Sequence, residues 1–187
     1  MGQDRVERLQ EEYDVEVEWR AFELHPETPP EGMRLPWADD PRYEAMAERL
    51  REMAAKAGLP MNPPAWISNS RRALEAAEYA REQGKHQAFH DAVFRAYFAE
   101  GQDIGDWGVL QEIAEAVDLD GTAMREAVER GAYRAGVDAQ IGEARRLRIT
   151  GVPTYILGNL AVVGAQPYEV FQRAMARLEA EARQRAG

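Results

Sequence analysis

Polar and apolar positions follow two different periods along this chain, and the change of period divides it. Val15, Val17 and Trp19 alternate with Glu16, Glu18 and Arg20, the period of two that predicts a strand with one buried face over 15–22. Ahead of it, Val6 and Leu9, with Tyr13 beyond, mark the apolar side of a short helix over 3–12. Between Glu23 and Pro41 the prolines at 26, 29, 30, 36 and 41 and Gly32 exclude a helix or a central strand, so a long ordered loop is expected. A helix over 42–57 then stops at Gly58, followed by the punctuation from Pro60 to Pro64.

The middle of the chain repeats at helical spacing. Leu110, Ile113, Ala114 and Val117 fall at i, i+3, i+4 and i+7, and Phe89, Val93 and Tyr97 at i, i+4 and i+8. Helices are predicted over 71–83, 87–99, 106–117, 121–130 and 133–148, the first capped by Asn69 or Ser70. The pattern then shortens again. Val152 to Leu157 and Leu160 to Gly164 flank a Gly158-Asn159 turn and predict a hairpin, after which Pro167 opens a helix with Phe171, Ala174, Met175 and Leu178 on one side. A helical run set between separated strands implies an α/β fold whose sheet is interrupted by a helical insert. The length of 187 residues suits one domain carrying such an insert.

Composition removes several chemistries. The chain has no cysteine, which excludes disulfides, thiolate metal sites and a cysteine nucleophile within it. Its three histidines, His25, His86 and His90, join no carboxylate in a known ligand pattern; His86 and His90 lie four apart and read as packing or solvated residues. No metal and no cofactor is expected. A formal charge of −10, with Arg71–Arg72 and Arg145–Arg146–Arg148 each flanked by Glu, argues against a nucleic-acid partner. No apolar run reaches a membrane span, and Met1 to Glu12 lacks the apolar stretch of a signal peptide, so a cytoplasmic location is expected.

The stretch ITGVPTYILGNLAVVGAQPYEVF, from Ile149 to Phe171, resembles the carboxyl-terminal half of DsbA-family thioredoxin folds. NSRRALEAAEYAREQGKHQAFHDAVFRAYFAEGQDIGD and VEWRAFELHPETPPEG are similar to the FrnE-like branch, so the resemblance covers nearly the whole chain. It implies a thioredoxin-like sheet with an inserted all-helical domain: 1–40 and 149–187 form the two parts of the thioredoxin-like domain and 41–148 the insert. It implies that Val152–Pro153 is a cis bond and that the Val152 backbone pairs with an extended substrate chain. Thr154, Trp66, Asn69 and Gln166, with Gly164 and Ala165, are implied to border that groove.

The resemblance has one gap. Family members begin with a strand and a CPxC or related motif before the helix matching 3–12; the first, central strand is missing from this chain, and Ser68, Ser70, Thr150 and Thr154 are not placed to replace the cysteines. The reading frame upstream of Met1 is therefore expected to encode about 10–20 further residues. The 15–22 strand and the Val152–Leu157 strand should then not pair with each other, being separated by about twice the ~4.8 Å ladder spacing.

The activity the resemblance implies is thiol–disulfide exchange on a protein or peptide. A glutathione-dependent isomerase or transferase of the same fold and a non-catalytic peptide binder stand beside it, and a partner strand filling the gap would make a homodimer. No residue of the chain is assigned a catalytic role. Because exchange needs a thiolate, the 187-residue chain is expected to leave the rate of insulin reduction by dithiothreitol at its protein-free value, measured by turbidity.

Overall fold

The computed structural model describes residues 2–56 and 58–186, without the side chains of Gln3, Arg185 and Ala186. Met1, Gly187 and Ala57, where the second predicted helix was to end, lie outside the described residues. In chain order the elements are α1 (Gly2–Glu12), β1 (Met33–Arg34), α2 (Pro41–Lys56), β2 (Trp66–Ile67), α3 (Arg71–Glu82), α4 (His86–Phe98), α5 (Trp107–Ala116), α6 (Gly121–Glu129), α7 (Arg134–Arg146), β3 (Thr154–Leu157), β4 (Leu160–Val163) and α8 (Tyr168–Ala186). They form two compact units, Met1–Trp19 with Arg145–Gly187, and Arg20–Ala144. No helix of the described residues is long and apolar enough to cross a membrane.

In the Arg20–Ala144 unit, small side chains set how closely helices approach. Ala73, Ala76 and Ala80 line one buried face of α3, and against that stripe pack Phe89 and Ala96 of α4, Leu110, Ile113 and Ala114 of α5, and Met124 and Val128 of α6. The stripes read from the sequence are the ones buried, Val93, Tyr97 and Val117 being partly so. Helix starts are fixed by side chains: the Asp106 carboxylate accepts from the Gly108 and Val109 amides, and the Asp120 carboxylate from the Ala123 amide. At the start of α3 the work is done by Asn69, whose Oδ1 accepts from the Arg71 amide at 3.0 Å, while Ser70 makes no side-chain cap.

The 23–41 segment is ordered, as its prolines imply, but it also contributes a short ladder that its composition hides. Met33 pairs with Ile67 and Arg34 with Trp66, antiparallel, and the Leu35 amide continues the pairing to the Ala65 carbonyl at 2.8 Å. Farther back, the Ala21 amide donates to Gln140 Oε1 and the Thr28 carbonyl accepts from Asn69 Nδ2. These bonds tie residues from Arg20 onward to the helices within the Arg20–Ala144 unit.

In the other unit the hairpin is present and the earlier strand is not. Among the described residues β3 pairs with β4 alone, from Thr154–Val163 to Leu157–Leu160. Residues 15–22 form no strand among the described residues, which corrects the expectation from their alternation. The alternation itself survives in burial: Val15, Val17 and Trp19 are half-buried, and Glu16, Glu18 and Arg20 exposed. A period of two reports which side faces the interior; a strand also needs a neighbour for its backbone groups, and sequence period does not supply one. Among the described residues, segment 15–22 and β3 do not pair with each other.

On α4 an aromatic row runs at i, i+4 spacing: His86 stacks on His90 at 6.1 Å, His90 on Phe94 at 4.3 Å, and Phe94 lies 5.5 Å from Phe98. Arg81 Nη2 lies 3.0 Å from His86 Nε2. Burial, then the Arg81 charge and then His90, depress His86 to about 4; burial also lowers His90, against the opposing pull of Asp91. No group of three or more potential metal ligands occurs among the described residues. Below pH 6.5 unfolded imidazoles take up protons while the folded ones stay neutral, so the unfolded state binds more protons and stability falls as pH drops toward 4. Urea unfolding followed from pH 7 to 4 should show this loss, and the double variant His86→Gln/His90→Gln should show a shallower dependence than the parent.

Candidate substrate-binding site

The site implied by the GVPT stretch is built in the smaller unit by a hydrophobic wedge beneath the hairpin. Tyr155 and Leu157 on β3 and Val162 on β4 face a core completed by Leu9 of α1 and Tyr168, Phe171 and Met175 of α8. Phe171 is fully buried and meets the Tyr155 ring edge-on at 4.8 Å and 89°. Because side chains alternate across a strand, seating Tyr155 and Leu157 inward turns Thr154 and Ile156 to the other face. The Arg8 guanidinium covers the Tyr168 ring at 3.7 Å, closing the side of the wedge next to α1.

At the entry to β3 the Val152–Pro153 bond is cis, the isomer the resemblance implies. Gly164 bonds back across the hairpin, its amide donating to the Pro153 carbonyl at 2.8 Å. Thr154 Oγ1 donates to the Gly151 carbonyl at 2.8 Å, tying the loop into a short turn. Val152 projects from this frame with 54% of its surface exposed. Among the described residues, neither its N–H nor its C=O takes part in a hydrogen bond. Gln166 closes the loop after β4: its amide donates to the Gly164 carbonyl and its Nε2 to the Val163 carbonyl at 2.9 Å. Val152, Pro153, Thr154 and Gln166 thus belong to one loop pair.

Three further residues complete this corner and were missed in the sequence. The Gly2 carbonyl, at the start of α1, accepts from Tyr155 Oη at 3.0 Å. A Cβ at Gly2 would stand 2.7 Å from that hydroxyl and 3.6 Å from the Pro153 ring, so the helix end approaches as closely as glycine alone permits. Arg5 Nε donates to the Gln166 carbonyl at 3.2 Å. Burial pushes the Tyr155 phenol up, which keeps it a donor. Tyr155 could have been found, since its inward register follows from strand alternation; Gly2 and Arg5 carry no local signal, because their roles depend on residues some 150 positions away.

Trp66 and Asn69 belong to the Arg20–Ala144 unit. Trp66 is 42% exposed, so it is not a core residue; its indole lies against Gly32, whose φ of 78° and crowded Cβ position both require glycine. Asn69 spends its side chain locally, with Nδ2 on the Thr28 carbonyl at 2.7 Å and Oδ1 on the Arg71 amide.

Residues 1–176 match the family described as a DSBA-like thioredoxin domain. The chain belongs to that family. The DsbA-like chain is 35% identical over 166 residues, 87% of its own length and 82% of the other's, to the uncharacterized protein YwbO of Bacillus subtilis (strain 168). Its fold superposes on a crystal structure of the probable DsbA oxidoreductase SCO1869 from Streptomyces coelicolor with a TM-score of 0.86, at 29% identity, covering 96% of this chain and 84% of that one. A 2-hydroxychromene-2-carboxylate isomerase structure shares the fold, with a TM-score of 0.76 and 23% identity over 99% of this chain and 90% of that one. The DsbA-like assignment makes the fold α/β and thioredoxin-like with a helical insertion, as the sequence reading held.

The corner depends on Phe171 because the ring holds β3 through Tyr155. Phe171→Ala should cost about 3–5 kcal/mol in urea unfolding. It should also broaden the amide resonances of residues 152–157.

Proposed function

We propose that this DsbA-like chain serves FrnE-like thiol–disulfide exchange by holding an extended protein or peptide segment against Val152, Pro153 and Thr154. Val152 carries the reading. It is an exposed residue whose backbone donor and acceptor have no hydrogen bond among the described residues, at the start of a strand that pairs on one side only. An extended chain laid there gains main-chain hydrogen bonds whatever its side chains, which suits a protein that must accept many sequences. Gln166 and Gly164 fix the opposite lip of the corner through their bonds to Val163 and Pro153.

Family membership supports a redox role, and the composition limits what this chain contributes to it. It has no thiol, so the sulfur atoms that exchange belong to other residues than these 187. What these residues supply is alignment of the substrate backbone.

An ¹⁵N-NMR titration with a short extended peptide bearing an S-methylated cysteine tests this. The Val152 and Thr154 amides should shift together and gain protection from hydrogen exchange, and Val152→Pro, which removes one donor, should weaken binding about tenfold. If S-methylglutathione moves these amides and the peptide does not, a protein substrate is excluded; if neither moves them, the corner is not a binding site.

A further inference from the structure

A second site lies wholly within the Arg20–Ala144 unit and does not depend on the reading above. Among α3, α5, α6 and the start of α7 there is a cavity of about 380 Å³, large enough for a small organic ligand. Pro30, Trp107 and Val128 provide its apolar surface, and Trp107 itself is buried.

The cavity's acids are already matched. Glu75, a buried residue of α3, pairs with Arg71 Nε at 2.6 Å, and Arg71 also reaches Asp138 at 2.7 Å and Glu23 at 3.6 Å. Glu129 pairs with Arg125 Nε at 3.0 Å, and the Arg125 guanidinium sits 5.5 Å from the Trp107 ring centre. Two cations lining the same space are left without a carboxylate partner among the described residues. Arg72 donates Nη1 to the Gly105 carbonyl at 2.8 Å and lies 5.2 Å from the Trp107 ring centre, which holds the guanidinium in place without neutralising it. Arg134 is exposed, and among the described residues its guanidinium makes no hydrogen bond or ion pair; its bonds are main-chain ones, the amide donating to the Gly131 carbonyl at 3.3 Å and the carbonyl accepting from Arg71 Nη2 at 3.2 Å.

We infer that this cavity binds a small organic carboxylate with a planar apolar body, its head held by Arg72 and Arg134 and its body against Trp107, Val128 and Pro30. A guanidinium offers a planar pair of donors that matches a carboxylate, and an aromatic wall favours a flat ligand. The context strengthens the assignment. The chain carries a net charge of −10, yet the lining itself holds three arginines, Arg71, Arg72 and Arg134, against two glutamates, Glu75 and Glu129, the further acids Glu23 and Asp138 both being engaged with Arg71.

Benzoate, with benzamide as its neutral isostere, serves as the probe in a titration of the intact chain at fixed ionic strength, followed by the Trp107 indole N–H resonance. Benzoate should give a saturable shift and benzamide none. Arg134→Gln, which breaks no side-chain bond of the fold, should weaken benzoate about tenfold, and Arg72→Gln by at least as much. Should Arg72→Gln unfold the unit, Arg134→Gln decides alone. Absence of saturation up to about 10 mM benzoate, equal binding of benzamide, or unchanged affinity in Arg134→Gln would each overturn the inference.

Discussion

A backbone that leaves water must find partners for its N–H and C=O groups, and among the described residues of the smaller unit sheet pairing supplies them at one place, the ladder between β3 and β4. Everything that defines the GVPT corner follows from that ladder and from what supports it. The hairpin puts Tyr155 and Leu157 inward, Phe171 of α8 holds them, and Gly2 of α1 meets Tyr155 from the other side. The loop before β3 therefore has no freedom to drift, and Val152 is held out from a fixed base.

The larger unit solves the same problem mainly with helices, its sheet pairing among the described residues being the two-residue β1–β2 ladder. Its helices bond their own backbones and compete only in side-chain fit, which the alanine face of α3 settles by letting bulky residues of α4, α5 and α6 come close. Asp106 and Asp120 then finish two of the helix starts. Polar side chains do the remaining stitching: Asn69 joins the proline-rich segment to the start of α3, and Gln140 secures Ala21.

How much of this was legible depended on whether the information was local. The stripe Leu110, Ile113, Ala114 predicts a helix and its buried side at once, because the same geometry sets both. The hairpin was readable from the Gly158-Asn159 turn between two apolar runs. The 15–22 segment shows the limit: its alternation predicts the face correctly and the pairing wrongly, since pairing is a property of two segments. The β1–β2 ladder was invisible because it is two residues long and lies among prolines and turns. The resemblance led to Val152, Pro153, Thr154 and Gln166, whereas Gly2 and Arg5 required coordinates. Of the cavity's arginines the sequence drew attention to Arg71 and Arg72 alone, as a basic spot flanked by Glu; only the pairing of Glu75 and Glu129 elsewhere sets Arg72 and Arg134 apart.

The division of the chain has a bearing on its synthesis. Arg20–Ala144 is continuous, so its core can close as soon as that stretch has left the ribosome. The other unit is assembled from two separated stretches, and Leu9 cannot meet Val162 and Phe171 until the chain has been made through Phe171. During that interval α1 and the alternating segment after it are exposed, with apolar side chains and no core to enter. The density of acids there, Glu7, Glu11, Glu12, Asp14, Glu16 and Glu18, then has a use beyond the finished surface: it keeps a waiting nascent segment from associating with its neighbours.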